Sequence, residues 1–327
     1  MNIKTILPFL LIVTITFSCS RKKENGENDL SSVEQYKGTG SITQGLAQTT
    51  IKNLLECGQL GSRFSAVGEI KDQNEKVWIV PASNNFEKAA KAFDLYNECN
   101  EVTPSSLSDV DLDSVPVVEI DKDGELITGF LFGDNYFELY INGQLIAVDP
   151  VPFTPFNSSV VKFKVSRPYT IAVKLIDWEE NLGLGSEKFL GATYHAGDGG
   201  FIASFSDGTV TNDRWKAQTF YTAPIQDLSC LSEVDQKRLS TNCTTKDAED
   251  ARNFYGVHWE IPADSYQKDF DDNQWPNATT YSEKTIGVDN KKAYMNFIEK
   301  FSVSGAEFIW STNVVLDNEV IVRYTVK

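Results

Sequence analysis

One short acidic loop is where this sequence could do chemistry. Residues 177–187 read DWEENLGLGSE and place four carboxylates, Asp177, Glu179, Glu180 and Glu187, in eleven positions. Hard divalent cations take several oxygen ligands, so these four are a candidate site for a structural calcium ion. Gly183 and Gly185 would let the backbone fold tightly enough for its carbonyls to join them. A glycosidase would instead need two carboxyl groups about 5 to 9.5 Å apart across a cleft, a distance the sequence does not specify. Trp178, in the same loop, could stack on a sugar ring. Downstream, His195 and Asp198, next to Gly199 and Gly200, could line a pocket with it. The competing reading is a solvated acidic rim with a structural histidine, and no catalytic residue is assigned.

Other chemistries are excluded or weak. The chain has five cysteines, two histidines and no CxxC, which argues against a Cys/His zinc site. GxSxG, P-loop and Rossmann fingerprints are absent. Asp109, Asp111, Asp113, Asp121 and Asp123 resemble a calcium loop, but Pro116 and the missing central glycine break the EF-hand pattern.

Short strands must position the loop. Phe137, Leu139 and Ile141 alternate with Glu138, Tyr140 and Asn142, the period-two pattern of a strand with one wet face. Asn142-Gly143 then supplies the positive φ angles of a two-residue hairpin turn. Further strands are expected at 115–120, 125–132, 160–165, 171–176, 201–205, 307–310 and 320–326, separated by Gly, Asn and Asp turns. The sum is a mainly β protein, a sandwich over 109–327 with an insert near 226–252. Before it, 47–108 reads as a small α/β region: helices at 51–55 and 86–96, where Phe86, Ala89, Ala90, Phe93 and Tyr96 recur at helical spacing, with a strand at 76–80 between them.

The N-terminus speaks of address. Residues 1–18 carry one basic residue, Lys4, and an apolar run too short to span a bilayer, as in a secretory signal peptide. The small residues before Cys19 resemble a bacterial lipobox. That resemblance implies cleavage before Cys19, a diacylglyceride on its sulfur and a lipid-anchored place in a bacterial cell envelope, at the outer membrane or cell surface. Residues 19–46 are polar and read as a flexible tether, and Arg21, Lys22 and Lys23 could touch anionic lipid. An exported chain with four further cysteines suggests two disulfides, and Cys57–Cys99 with Cys230–Cys243 keeps each bridge within one region. The net charge is −16, and the leader contributes one lysine and no acid, so the rest carries −17. Such a chain repels phosphate backbones, which excludes nucleic acid as a partner.

Several segments together resemble a known family. Tyr136 to Gly143 resembles the "DxYxLYVNG" strand of galactose-binding-like β-sandwiches, the sugar-binding jelly rolls attached to many glycoside hydrolases. Residues 171–175 resemble their "NVIAV" strand, 199–203 their "GGLLA" strand and 211–216 their "TDxSWK" segment. Residues 270–276 resemble "FDDSxWP", and 308–310 with 320–324 resemble the "FIW…VxFR" strands. The motifs share the family's order but the chain enters midway through it, so one permuted sandwich or two packed ones would satisfy it. The resemblance implies fold more than function, and it raises the expectation of a structural calcium. The leading expectation is a non-catalytic, glycan-binding envelope lipoprotein. The alternatives are a structural or adhesion module meeting protein partners and a carbohydrate-active enzyme using the acids of 177–187.

Overall fold

The computed structural model describes residues 30–59, 62–186, 195–246 and 251–327. The leader, Cys19, the basic triplet Arg21 to Lys23, Glu187 and Tyr194 lie outside the described residues. In chain order the strands are β1 (Ser41–Gln44), β2 (Gln48–Ile51), β3 (Val67–Lys71), β4 (Val77–Val80), β5 (Phe93–Tyr96), β6 (Val117–Glu119) and β7 (Glu125–Asp134). There follow β8 (Tyr136–Ile141), β9 (Gln144–Val148), β10 (Ser158–Val165), β11 (Tyr169–Ile176), β12 (Gly200–Phe205) and β13 (Lys216–Ile225). The last are β14 (Ser232–Val234), β15 (Lys237–Leu239), β16 (Tyr255–His258), β17 (Thr279–Tyr281), β18 (Phe308–Trp310) and β19 (Asp317–Val326).

Two large sheets share one core. The first runs β1-β16-β13-β19-β11-β8-β9, and the second runs β17-β18-β12-β7-β10-β5, with β6 parallel to β10. The apolar half of each alternating strand enters that core. Phe137, Leu139 and Ile141 of β8 and Val173 and Leu175 of β11 cluster with Phe132, Phe163 and Phe201 of the second sheet. The β8–β9 hairpin turns where expected, with φ of 50° at Asn142 and 84° at Gly143. Both expected disulfides are present, with Cα–Cα distances of 5.1 Å for Cys57–Cys99 and 4.9 Å for Cys230–Cys243.

Three expectations are corrected. The polar face of β8 is not wet: Glu138 and Tyr140 are buried, as are Lys174 of β11 and Arg323 of β19. The chain folds a further layer over that face and pairs these groups. Glu138 accepts from the Asn85 backbone N–H at 2.5 Å and the Tyr140 hydroxyl at 2.7 Å. Lys174 Nζ lies 2.8 Å from Glu319 and donates to Ser83 O at 2.5 Å. Arg323 Nε donates to Asp272 at 2.9 Å, and Tyr266 stacks on Tyr140 with ring centroids 4.0 Å apart. Charges buried this way must be paired to be tolerated.

The expected helices at 51–55 and 86–96 are absent. The 47–108 region holds instead a three-stranded sheet, β2-β3-β4, and lends β5 to the second large sheet. Sheet edges outbid helical propensity here. Ala90 O accepts from Val148 N–H, Ala92 N–H donates to Val148 O, and residues 93–96 pair with β10. The expected tether also ends early, because β1 adds an edge strand to the first sheet, pairing Ser41 with His258.

Candidate functional site

The 177–187 loop leaves β11 at one end of the two sheets, and the ladder gathers other acids there. Ile176 pairs with Tyr136 and Gly200 with Asp134. Asp134, at the end of β7, Asp177 and Glu179, after β11, and Asp198, before β12, therefore meet at the same end. Local hydrogen bonds hold them. Asp177 N–H donates to Asn318 O at 2.9 Å, and Trp178 N–H donates to Asn135 Oδ1 at 2.5 Å. Asn135 Nδ2 in turn donates to Asp134 Oδ1 at 2.6 Å. Gly197 N–H donates to Glu179 Oε1 at 2.7 Å, and a Cβ at Gly197 would lie 2.9 Å from that oxygen, so only glycine lets the backbone come this close.

Burial dominates the electrostatics. Asp134, Asp177 and Glu179 are buried, and desolvation favours the neutral acid. Glu179 is pushed up to about 8, first by burial and then by Asp198 and Glu180, against the Gly197 N–H and the Arg63 charge. Asp177 is raised well above the ordinary carboxylate range by burial and by Glu179, Asp134 and Asp198. Asp134 is raised by burial and by Asp198 and Glu179, with Lys291 and Arg63 opposing. Asp198 is raised by burial, with His195 opposing. Asp177 Oδ2 and Glu179 Oε2 are buried without a hydrogen-bond partner. Held neutral, such carboxyls can store or donate a proton.

The described members of the expected calcium set point in different directions. Asp177 and Glu179 turn inward, whereas Glu180 faces Arg63 at 3.7 Å. Among the described residues no three His, Cys, Asp or Glu side chains are placed to hold a metal ion. Glu187 lies outside them.

Trp178 is not a display surface. It is 1% exposed, its Nε1–H donates to Ala66 O at 3.1 Å, and its ring meets Tyr136 edge-on at 6.1 Å. The 47–108 segment covers it and presents a different aromatic, Phe64, which is 70% exposed. Phe64 stands on the wall of an open pocket of about 500 Å³, which Thr49, Lys52, Asn53, Glu56 and Glu180 also line. Of the expected ligand residues, His195 and Asp198 stay at the buried acid cluster; His195 Nδ1 lies 3.1 Å from Ala196 O. Of the acidic loop, Glu180 and Leu182 line the pocket.

Asp134 and Phe64 were not singled out from sequence. Asp134 sits in Phe132-Gly133-Asp134-Asn135-Tyr136, a carboxylate at the joint between two strands, a place where function gathers. Phe64 is a lone aromatic between a cysteine and a strand, and nothing local distinguishes it from a core residue. Compared with known proteins, the chain matches no family model, no curated protein and no solved structure, so its own residues carry the functional reading.

Proposed function

We propose that this chain is a lipid-anchored protein of a bacterial cell envelope that binds glycan non-catalytically in the pocket walled by Phe64. The observation that carries the reading is Phe64 itself, a large aromatic left 70% exposed on a concave wall. An exposed ring offers its face to the C–H side of a sugar, and the surrounding groups match sugar hydroxyls. The Thr49 hydroxyl donates and accepts, Lys52 donates, and the Glu56 and Glu180 carboxylates accept. The strand motifs that resemble galactose-binding-like sandwiches and the two packed antiparallel sheets agree with it. The apolar leader ending at Cys19 supports the envelope address.

A glycan array probed with the chain from residue 20 onward tests the proposal. Phe64→Ala is expected to abolish binding without changing the melting temperature, because the ring contributes little buried surface. An array with no bound glycan, or a variant that binds like the wild type, overturns it. The second reading is a carbohydrate-active enzyme, favoured by the raised Glu179 beside Asp177. It requires glycan hydrolysis that Glu179→Gln removes, and binding without turnover rejects it.

A further inference from the structure

We infer that the Phe64 pocket is built for N-acetylated amino sugars, with the acetamido group as the part it recognises. The inference rests on the glycan reading above and names the class of sugar. The apolar lining is the Phe64 ring, the Ala66 methyl and the Leu182 side chain, and the polar lining includes Thr49, Lys52 and Glu56. Hydrogen bonds hold these parts in register. Asn53, between Lys52 and Glu56 in the chain, accepts from the Ser65 N–H and hydroxyl at 2.9 Å each and donates to Leu55 O at 2.8 Å. Leu54 N–H donates to Ser65 O at 3.1 Å. The segment that carries Lys52 and Glu56 is therefore tied to the one that carries Phe64 and Ala66. Ala47 N–H donates to Leu182 O at 2.9 Å and ties in the third. The Cys57–Cys99 disulfide fixes the chain directly after Glu56. Walls held in this way have little freedom left to lose on binding.

Charge balance and hydrogen-bonding capacity give the assignment. The Glu180 charge is balanced by Arg63 at 3.7 Å, and the Asn53 amide is engaged with Ser65 and Leu55. Among the described residues the Thr49 hydroxyl, the Lys52 ammonium and the Glu56 carboxylate have no hydrogen-bond or ion-pair partner. Lys52 and Glu56 cancel in net charge, so a ligand with a net charge of either sign leaves one of them facing a like charge. That favours an uncharged sugar. A plain hexose can lay its C–H face on Phe64, but it turns hydroxyls towards Leu182 and Ala66, where they lose water without gaining a partner. An acetamido group answers each part of the lining. Its carbonyl accepts from Lys52, its N–H donates to Glu56 and its methyl covers Leu182 and Ala66, which leaves the Thr49 hydroxyl for a hydroxyl of the ring. The cavity of about 500 Å³ has room for the ring and this substituent together.

Calorimetry with the chain from residue 20 onward decides it. The titrants are an N-acetylhexosamine disaccharide, its de-N-acetylated form, the parent hexose disaccharide of the same linkage, and an N-acetylated dipeptide. The acetylated sugar is expected to bind at least about tenfold tighter than the other titrants. Because it is uncharged, its affinity is expected to hold at high salt. Lys52→Met and Glu56→Ala are each expected to cut the preference over the parent sugar to below about threefold. Both are expected to leave the melting temperature unchanged, because each side chain is exposed and unpaired. Equal affinity for the acetylated and parent sugars, or a preference that both variants keep, overturns this inference alone and leaves the pocket intact. A dipeptide that binds as tightly as the acetylated sugar also overturns it, since the site then recognises the amide of a peptide. No binding by any of the disaccharides overturns the inference, and an empty glycan array beside that result overturns the pocket reading as well.

Discussion

Replacing Glu179 with Gln tests whether the acid cluster is held neutral by its surroundings. Glutamine keeps the size of the side chain and its acceptor for the Gly197 N–H, and removes the proton equilibrium. In the wild type, burial and the acids Asp198 and Glu180 lift Glu179 from 4.5 to about 8, with Asp177 and Asp134 at the same end and Arg63 the opposing cation. A carboxyl raised on folding binds its proton more tightly in the native state. Its contribution is therefore fully present below 4.5 and is lost as pH climbs through about 8. The full rise corresponds to about 5 kcal/mol at about 1.4 kcal/mol per pH unit. Relaxation and water entry reduce such penalties in real proteins, so Glu179→Gln is expected to be more stable than wild type by about 2 kcal/mol at pH 9, or about 4 °C in melting temperature. Below pH 4.5 the two proteins are expected to melt together. Melting followed by circular dichroism from pH 4 to pH 9, with chelator present throughout, measures both arms. Parallel curves across the range, or a variant less stable than wild type at pH 9, refute the reasoning.

Lys174→Met strands Glu319 beneath the covering layer and is expected to cost about 3 to 5 kcal/mol in urea unfolding, much of which Lys174→Met with Glu319→Met should restore; equal losses in the single and double variants would contradict this. Calcium in the 177–187 loop needs a donor beyond Asp177 and Glu179, and Glu187 is the carboxylate that the sequence supplies. Calcium at a hundred times its dissociation constant is then expected to stabilise the protein by about 2.7 kcal/mol, and Glu187→Gln to remove the gain, whereas identical melts in calcium and chelator dispose of the site. Cys19→Ala is expected to leave an unlipidated chain in the soluble fraction, and retention with membranes would sink the lipobox reading.

Local patterns in the sequence settled the alternating strands, the Asn142-Gly143 turn and the two disulfides, because each is a short-range or compositional property. Period two places Phe137, Leu139 and Ile141 in a core whatever lies opposite. Tertiary structure decided the rest. The alternation of β8 says which side of Glu138 differs from Phe137, but not whether that side meets water; a layer from distant segments buries it and supplies Asn85 as partner. The apolar stripe of 86–96 fits a helix until open edges at β9 and β10 offer hydrogen bonds. Trp178 is covered and Phe64 exposed for the same reason: residues 47–108 fold over the tryptophan and carry the phenylalanine outward. Asp134 joins Asp177, Glu179 and Asp198 only because β7, β8, β11 and β12 bring one end of each strand together. Burial and long-range pairing are properties of where the chain goes, and no window of residues contains them.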